Sequence, residues 1–166
     1  MIGTVSVTVA LIGLAAACVT LLPRVTVTTS DPVDPNNPFS SSITITNSGY
    51  LPLRDVRASI GVKTIAATIG GHPNVTIHGD SSYGSHVIDS QTIPPRDLGL
   101  DDRFSFSLNQ FGESPTYDFK FADIAIVVEF EIPLVHIKRK RIYPLYTQRE
   151  SNGNFYWFAD SPHSAN

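Results

Sequence analysis

The sequence predicts an all-β domain, a two-layer antiparallel sandwich, preceded by one membrane-spanning helix. Three observations point there. All 12 basic and 15 acidic side chains lie after Leu22, so residues 1–22 are a different material from the rest. Beyond them, short runs alternate apolar with polar residues and end at Gly, Pro or Asn, the period-two pattern of half-buried strands. No stretch after Pro23 repeats its apolar residues every 3.6 positions, as a surface helix would. We therefore divide the chain into an anchor, 1–22, and one domain, 23–166, large enough to bury a core without a disulfide or a metal. The only cysteine, Cys18, lies in the apolar segment, so the domain has neither an internal disulfide nor a cysteine metal site.

Residues 2–22 would span about 31 Å as a helix, close to the hydrocarbon thickness of a bilayer. Pro23 and Arg24 end the run, and the arginine suits the headgroup layer. Two competing readings stay open. A cleaved signal peptide normally begins with basic residues, and none precedes Arg24. Leu14 to Cys18 partly matches a lipoprotein cleavage site, but the apolar run continues through Leu22. A retained, single-pass anchor fits best, with the domain expected on the extracytoplasmic side; the positive-inside rule has almost nothing to count here.

Arg24 to Thr29 alternates and is rich in β-branched residues, a first strand. Residues 31–38 carry three prolines, which exclude a helix or a central strand there. Phe39, Ser41, Ile43 and Ile45 form one face of a second strand that ends in the turn Asn47-Ser48-Gly49. Val56, Ala58, Ile60 and Val62 alternate again, and 63–69 reads as a continuation or a short edge strand. Val75 to Ile77 and Val87-Ile88 are short strand candidates. Phe104, Phe106 and Leu108 share a face. Phe121 to Ile132 is the strongest strand, with apolar residues on both faces, as a central strand requires. Residues 137–148 and 155–158 complete the set, with Asn152-Gly153 as a hairpin turn between them. Ile126 and Phe106 are expected in the core.

Asn37-Pro38-Phe39, Ile43 to Gly49 and Asp55-Val56 together resemble the early strands of bacterial immunoglobulin-like modules, in which an apolar strand ends in T-N-x-G and D-V opens the next. The resemblance implies an immunoglobulin-like sandwich and carries no activity, because that fold hosts many unrelated functions. The overall layout also resembles small bacterial membrane proteins without assigned activity.

The chemistry-bearing residues form no organised constellation. His72, His78 and His86 share a polar region with Asp80 and Asp89, but the spacings match no zinc pattern and the stretch is rich in Gly and Ser. There is no nucleophile elbow, phosphate loop or dinucleotide fingerprint. The mild acidity argues against nucleic acid as a partner. The expected function is thus a non-enzymatic binding or scaffolding module at a membrane, without cofactor, held by residues 1–22 and open to a protein partner in the same complex. The alternative is an enzyme or metal-binding protein using the His72–Asp89 region.

The sharpest charge feature is Lys138-Arg139-Lys140-Arg141, following the apolar segment Ile132 to Ile137. Leu134, Val135, Lys138, Arg139, Lys140 and Arg141 are the candidate contacts for lipid or a partner. Four consecutive bases point to both faces of a strand, so this strand should be an edge or face water. Two uses compete: protection of a sheet edge and attraction to anionic headgroups. A hairpin centred near Val135 sets Glu131 opposite Arg139 and Glu129 opposite Arg141; a shift of one residue uses Lys138 and Lys140. The apolar tip is expected to be capped by the C-terminal aromatics Phe155 to Phe158.

Overall fold

The computed structural model describes residues 23–79, 96–108, 117–159 and 163–164. Within them the chain is almost entirely antiparallel β-structure: β1 (Val25–Thr29), β2 (Ser42–Asn47), β3 (Leu53–Ile69), β4 (His72–His78), β5 (Arg96–Leu98), β6 (Arg103–Ser107), β7 (Tyr117–Ile132), β8 (Ile137–Arg149), β9 (Phe155–Ala159) and β10 (His163–Ser164). The anchor assigned to 1–22, the strand candidate Val87-Ile88, and His86, Asp80 and Asp89 lie outside the described residues. No helix among the described residues is long and apolar enough to cross a membrane.

The strands form two sheets. The smaller has the order β1-β2-β6. The larger is built on three long neighbours, β8-β7-β3. Each of its flanks is made of two short strands: β4 and β5 pair with different parts of β3, and β9 and β10 with different parts of β8. Buried residues of both sheets, including Ile43, Ile45 and Phe104 from the smaller and Val56, Ala58, Ile124 and Ile126 from the larger, make one continuous core. That arrangement is compatible with a β-sandwich.

β7 is central, as predicted, and both its faces are buried: Ile124, Ile126 and Val128 inward, Ala125 and Val127 outward. Ile126 is fully buried. Phe106 is only partly buried and packs against the core, because β6 is an outer strand of the three-stranded sheet.

The stretch 63–69 continues β3 rather than forming a separate strand. The apolar alternation slips there because the register with β7 shifts between Val62 and Thr64, which leaves Lys63 as an extra residue. Its ammonium pairs with Asp123 at 2.8 Å. A second shift between Ala66 and Ala67 brings Phe119 inward against Phe39, with ring centroids 5.0 Å apart.

Phe39 precedes the second strand instead of opening it. Pro38–Ser40 is a 3-10 turn, started by Asn37, whose side chain accepts from the Phe39 N–H at 3.0 Å. Pro38 suits this first helical position because its missing N–H has no helical partner to lose. The proline-rich stretch before it joins β1 to β2 within the domain, and the Phe155 N–H donates to Pro35 O at 3.0 Å.

The turn after β2 is fixed by Asn47, whose side chain is fully buried. Its Nδ2 donates to Leu51 O at 2.8 Å and Gly99 O at 2.9 Å, with Leu98 O at 3.3 Å, while its Oδ1 accepts from the Gly49 N–H at 3.1 Å. One amide thus ties the β2–β3 turn to the β5–β6 turn. Gly49 allows the chain to pass close to its neighbour, since a Cβ there would lie 2.7 Å from the backbone nitrogen of Arg24.

Candidate functional site

Pro133 opens the turn between β7 and β8, and its fixed φ suits the second position of a β-turn. The turn closes with the Val135 N–H donating to Ile132 O at 3.3 Å. His136 then takes a left-handed conformation, φ +51°, and its imidazole nitrogen lies 2.8 Å from the Glu131 carboxylate.

The hairpin presents Leu134, Val135 and Ile137 to solvent, at 74%, 56% and 42% exposure. The expected cap by the C-terminal aromatics is incorrect. β9 pairs with Leu145 to Arg149, at the far end of β8. There Trp157 packs edge-on against Phe39 and donates from Nε1 to Pro38 O at 2.7 Å. A buried indole N–H needs an acceptor, and Pro38 supplies one far from the hairpin.

The register is the shifted one: Glu131 faces Lys138 and Glu129 faces Lys140. Lys140 and Glu129 approach to 3.8 Å, a loose surface pair worth little in stability. β8 is not an edge strand along its whole length, because β9 and β10 pair with its later part. Residues 137–140 have no partner on that side among the described strands, so Lys138 to Lys140 form an edge, while Arg141 pairs with Ser164 of β10. Side chains alternate there. Arg139 and Arg141 share the parity of core residues Tyr143 and Leu145, while Lys138 and Lys140 face the other side of the sheet.

Arg141 reaches across to the smaller sheet. Its Nη2 donates to Pro23 O at 3.4 Å, and two residues on the Tyr143 hydroxyl donates to Val25 O at 2.7 Å. Desolvation by burial pushes the Tyr143 phenol above its ordinary pKa of 10.0, and the nearby Arg141 cation partly offsets it. These contacts place Pro23, the first described residue, beside Arg141 at the end of the basic stretch of β8.

The same end of the two sheets gathers bases that are scattered in sequence. β1, β3, β6 and β8 all leave from it, by the antiparallel pairing. Each has a basic residue at or next to its start: Arg24, Arg54, Arg103 and Lys138. Arg57 faces Glu129, and Arg96 pairs with Val56 and holds its guanidinium 4.3 Å from the centre of the Phe104 ring. With Arg139, Lys140 and Arg141, nine basic residues stand here against six acidic ones, Asp55, Asp97, Asp101, Asp102, Glu129 and Glu131. The other described residues carry Lys63, Lys120 and Arg149 against Asp31, Asp34, Asp118, Asp123 and Glu150. The described domain is therefore polarised, net +3 at the hairpin end and −2 elsewhere. Sequence reading found the run 138–141 and set Arg24 at the headgroup layer, but missed Arg54, Arg57, Arg96 and Arg103, since single arginines inside the domain carry no local signal until the topology brings them to one end.

A surface cleft of about 510 Å³ opens at this end, lined by Arg54, Asp55, Arg96, Asp97 and Glu131. Asp55 is held at φ +48° where the β3 register shifts. Its N–H donates to Asp97 Oδ1 at 3.1 Å, and its carboxylate pairs with Arg57 at 3.1 Å. Two of the lining residues, Asp55 and Asp97, are thus tied to each other.

His72 and His78 are the two ends of β4, six residues and about 20 Å apart, so they do not converge on one ion. Among the described residues, no group of three or more His, Cys, Asp or Glu side chains is placed to hold a metal. Comparison with known protein families, with characterised proteins and with solved structures finds no match.

Proposed function

We propose that this chain is a membrane-held, non-enzymatic binding or scaffolding module with an immunoglobulin-like sandwich. The strand order supports the fold reading. β1-β2-β6 on one side and β8-β7-β3-β4 on the other follow the arrangement of an immunoglobulin sandwich, in which the chain crosses between sheets after its second strand. The observation that carries the membrane reading is the pair of contacts from Arg141 to Pro23 and from Tyr143 to Val25. Through them the charge-free segment 1–22 joins the domain at its most basic end, where cations are favoured beside headgroups.

The test is flotation of the full chain with lipid vesicles on a density gradient, followed by a wash in high salt. Co-flotation that survives the wash is expected. Recovery of the full chain as a soluble monomer without detergent would refute the reading.

A further inference from the structure

We propose that the β7–β8 hairpin is a second membrane contact, with Leu134 and Val135 entering the interface of an anionic leaflet and Lys138 and Lys140 lying among its phosphates. The proposal rests on the anchor reading and adds an orientation: the sandwich is held at its basic end by two attachments and not by a free tether.

Three observations favour lipid as the occupant. The exposed side chains at the tip are aliphatic and lie at the very end of the domain, so a flat apolar layer can receive them without a shaped pocket. The bases directly behind the tip face Glu129 and Glu131 across the hairpin but belong to an end that is net-positive among the described residues; that match is to an anionic surface. Pro23 sits against Arg141, about 13 Å along β8 from the base of the turn, and β1 runs away from the hairpin end, so a segment entering the bilayer from Pro23 holds this end of the domain near the surface, with the tip projecting beyond Pro23. Edge protection explains lysines on the unpaired stretch 137–140. It does not explain aliphatic side chains at the tip, nor arginines from other strands collected at the same end.

The experiment uses the full chain with Cys18→Ser, reconstituted in vesicles, and a polarity-sensitive fluorophore attached at Leu134→Cys or, as a reference, at Asn152→Cys in the β8–β9 turn at the opposite end. Vesicles contain either neutral lipid alone or neutral lipid with an anionic phospholipid, and lipids brominated near the headgroup act as quenchers. With anionic vesicles, the label at 134 should be quenched and shifted toward apolar emission, while the label at 152 stays aqueous. Lys138→Gln with Lys140→Gln should move the docked-to-undocked ratio about 30-fold toward undocked, and high salt should do the same. Flotation of the same samples separates the two readings. A chain that floats with its 134 label as aqueous as the 152 label overturns the hairpin contact and leaves the anchor standing. Equal quenching at 134 in neutral vesicles overturns the role of the lysines. A chain that does not float overturns both.

Discussion

Replacing Asn47 with Ala removes one side chain and strands four backbone groups. The Gly49 N–H and the Leu98 carbonyl meet this amide in buried bonds, whereas the bonds to Leu51 and Gly99 are part-buried, within reach of water. A buried polar group left without a partner costs about 1–3 kcal/mol. The two buried groups therefore set the expected loss at about 2–6 kcal/mol, a large share of the roughly 5–15 kcal/mol that holds an ordinary domain. The assay is urea unfolding in detergent, followed through Trp157, the single tryptophan, which is buried beside Phe39. The urea midpoint should fall with little change in slope. Asn47→Asp sharpens the test. Its carboxylate still accepts from Gly49 but opposes three carbonyl oxygens, which raises its folded pKa above the unfolded value near 3.9. Its protonated form is the one the site tolerates, so the penalty should be small below about pH 4 and grow as pH rises. A loss under about 1 kcal/mol for the alanine, or a pH-independent penalty for the aspartate, would refute the role of this amide as the tie between the two turns.

Three further outcomes are expected. Ile126→Ala should cost about 2–5 kcal/mol and Phe106→Ala distinctly less than the 3–5 kcal/mol of a fully buried phenylalanine; equal losses in unfolding experiments would put β6 inside the core. Ser41 is fully buried with no hydrogen-bond partner for its hydroxyl among the described residues, so Ser41→Ala should leave the unfolding midpoint unchanged or raise it, and a loss above about 1 kcal/mol would reveal a missing partner. The raised phenol of Tyr143 stabilises the fold fully below the unfolded pKa of 10.0 and loses that contribution as pH climbs through the higher folded value. Tyr143→Phe should therefore cost about 0.5–1.5 kcal/mol at neutral pH, by freeing Val25 O, and soften the alkaline loss of stability seen by thermal unfolding above about pH 10.

Much of the strand content was legible in residue order, because a strand's inward residues recur every second position whatever its neighbours are. Ile43 and Ile45, Val56 and Ala58, and the apolar run Ala122 to Phe130 announced their faces in this way. Legibility failed where the register shifts. At Lys63 the alternation slips by one residue, and the pattern leaves open whether the 17 residues of β3 are one strand or two. The hairpin partners were open for the same reason, since turn length sets register and the left-handed His136 is not visible in the pattern.

By itself the sequence determined a charge-free segment followed by a domain of alternating, strand-like runs, and it exposed the run Lys138 to Arg141, because these properties need only neighbours along the chain. Tertiary structure decided where that run stands. It left the hairpin tip bare by sending Phe155 and Trp157 to the opposite end, set Pro23 against Arg141, and collected Arg24, Arg54 and Arg103 beside them. The reason is the antiparallel pairing. Strands that leave from one end place their first residues together in space however far apart they lie in sequence, and no local pattern records which strands share an end.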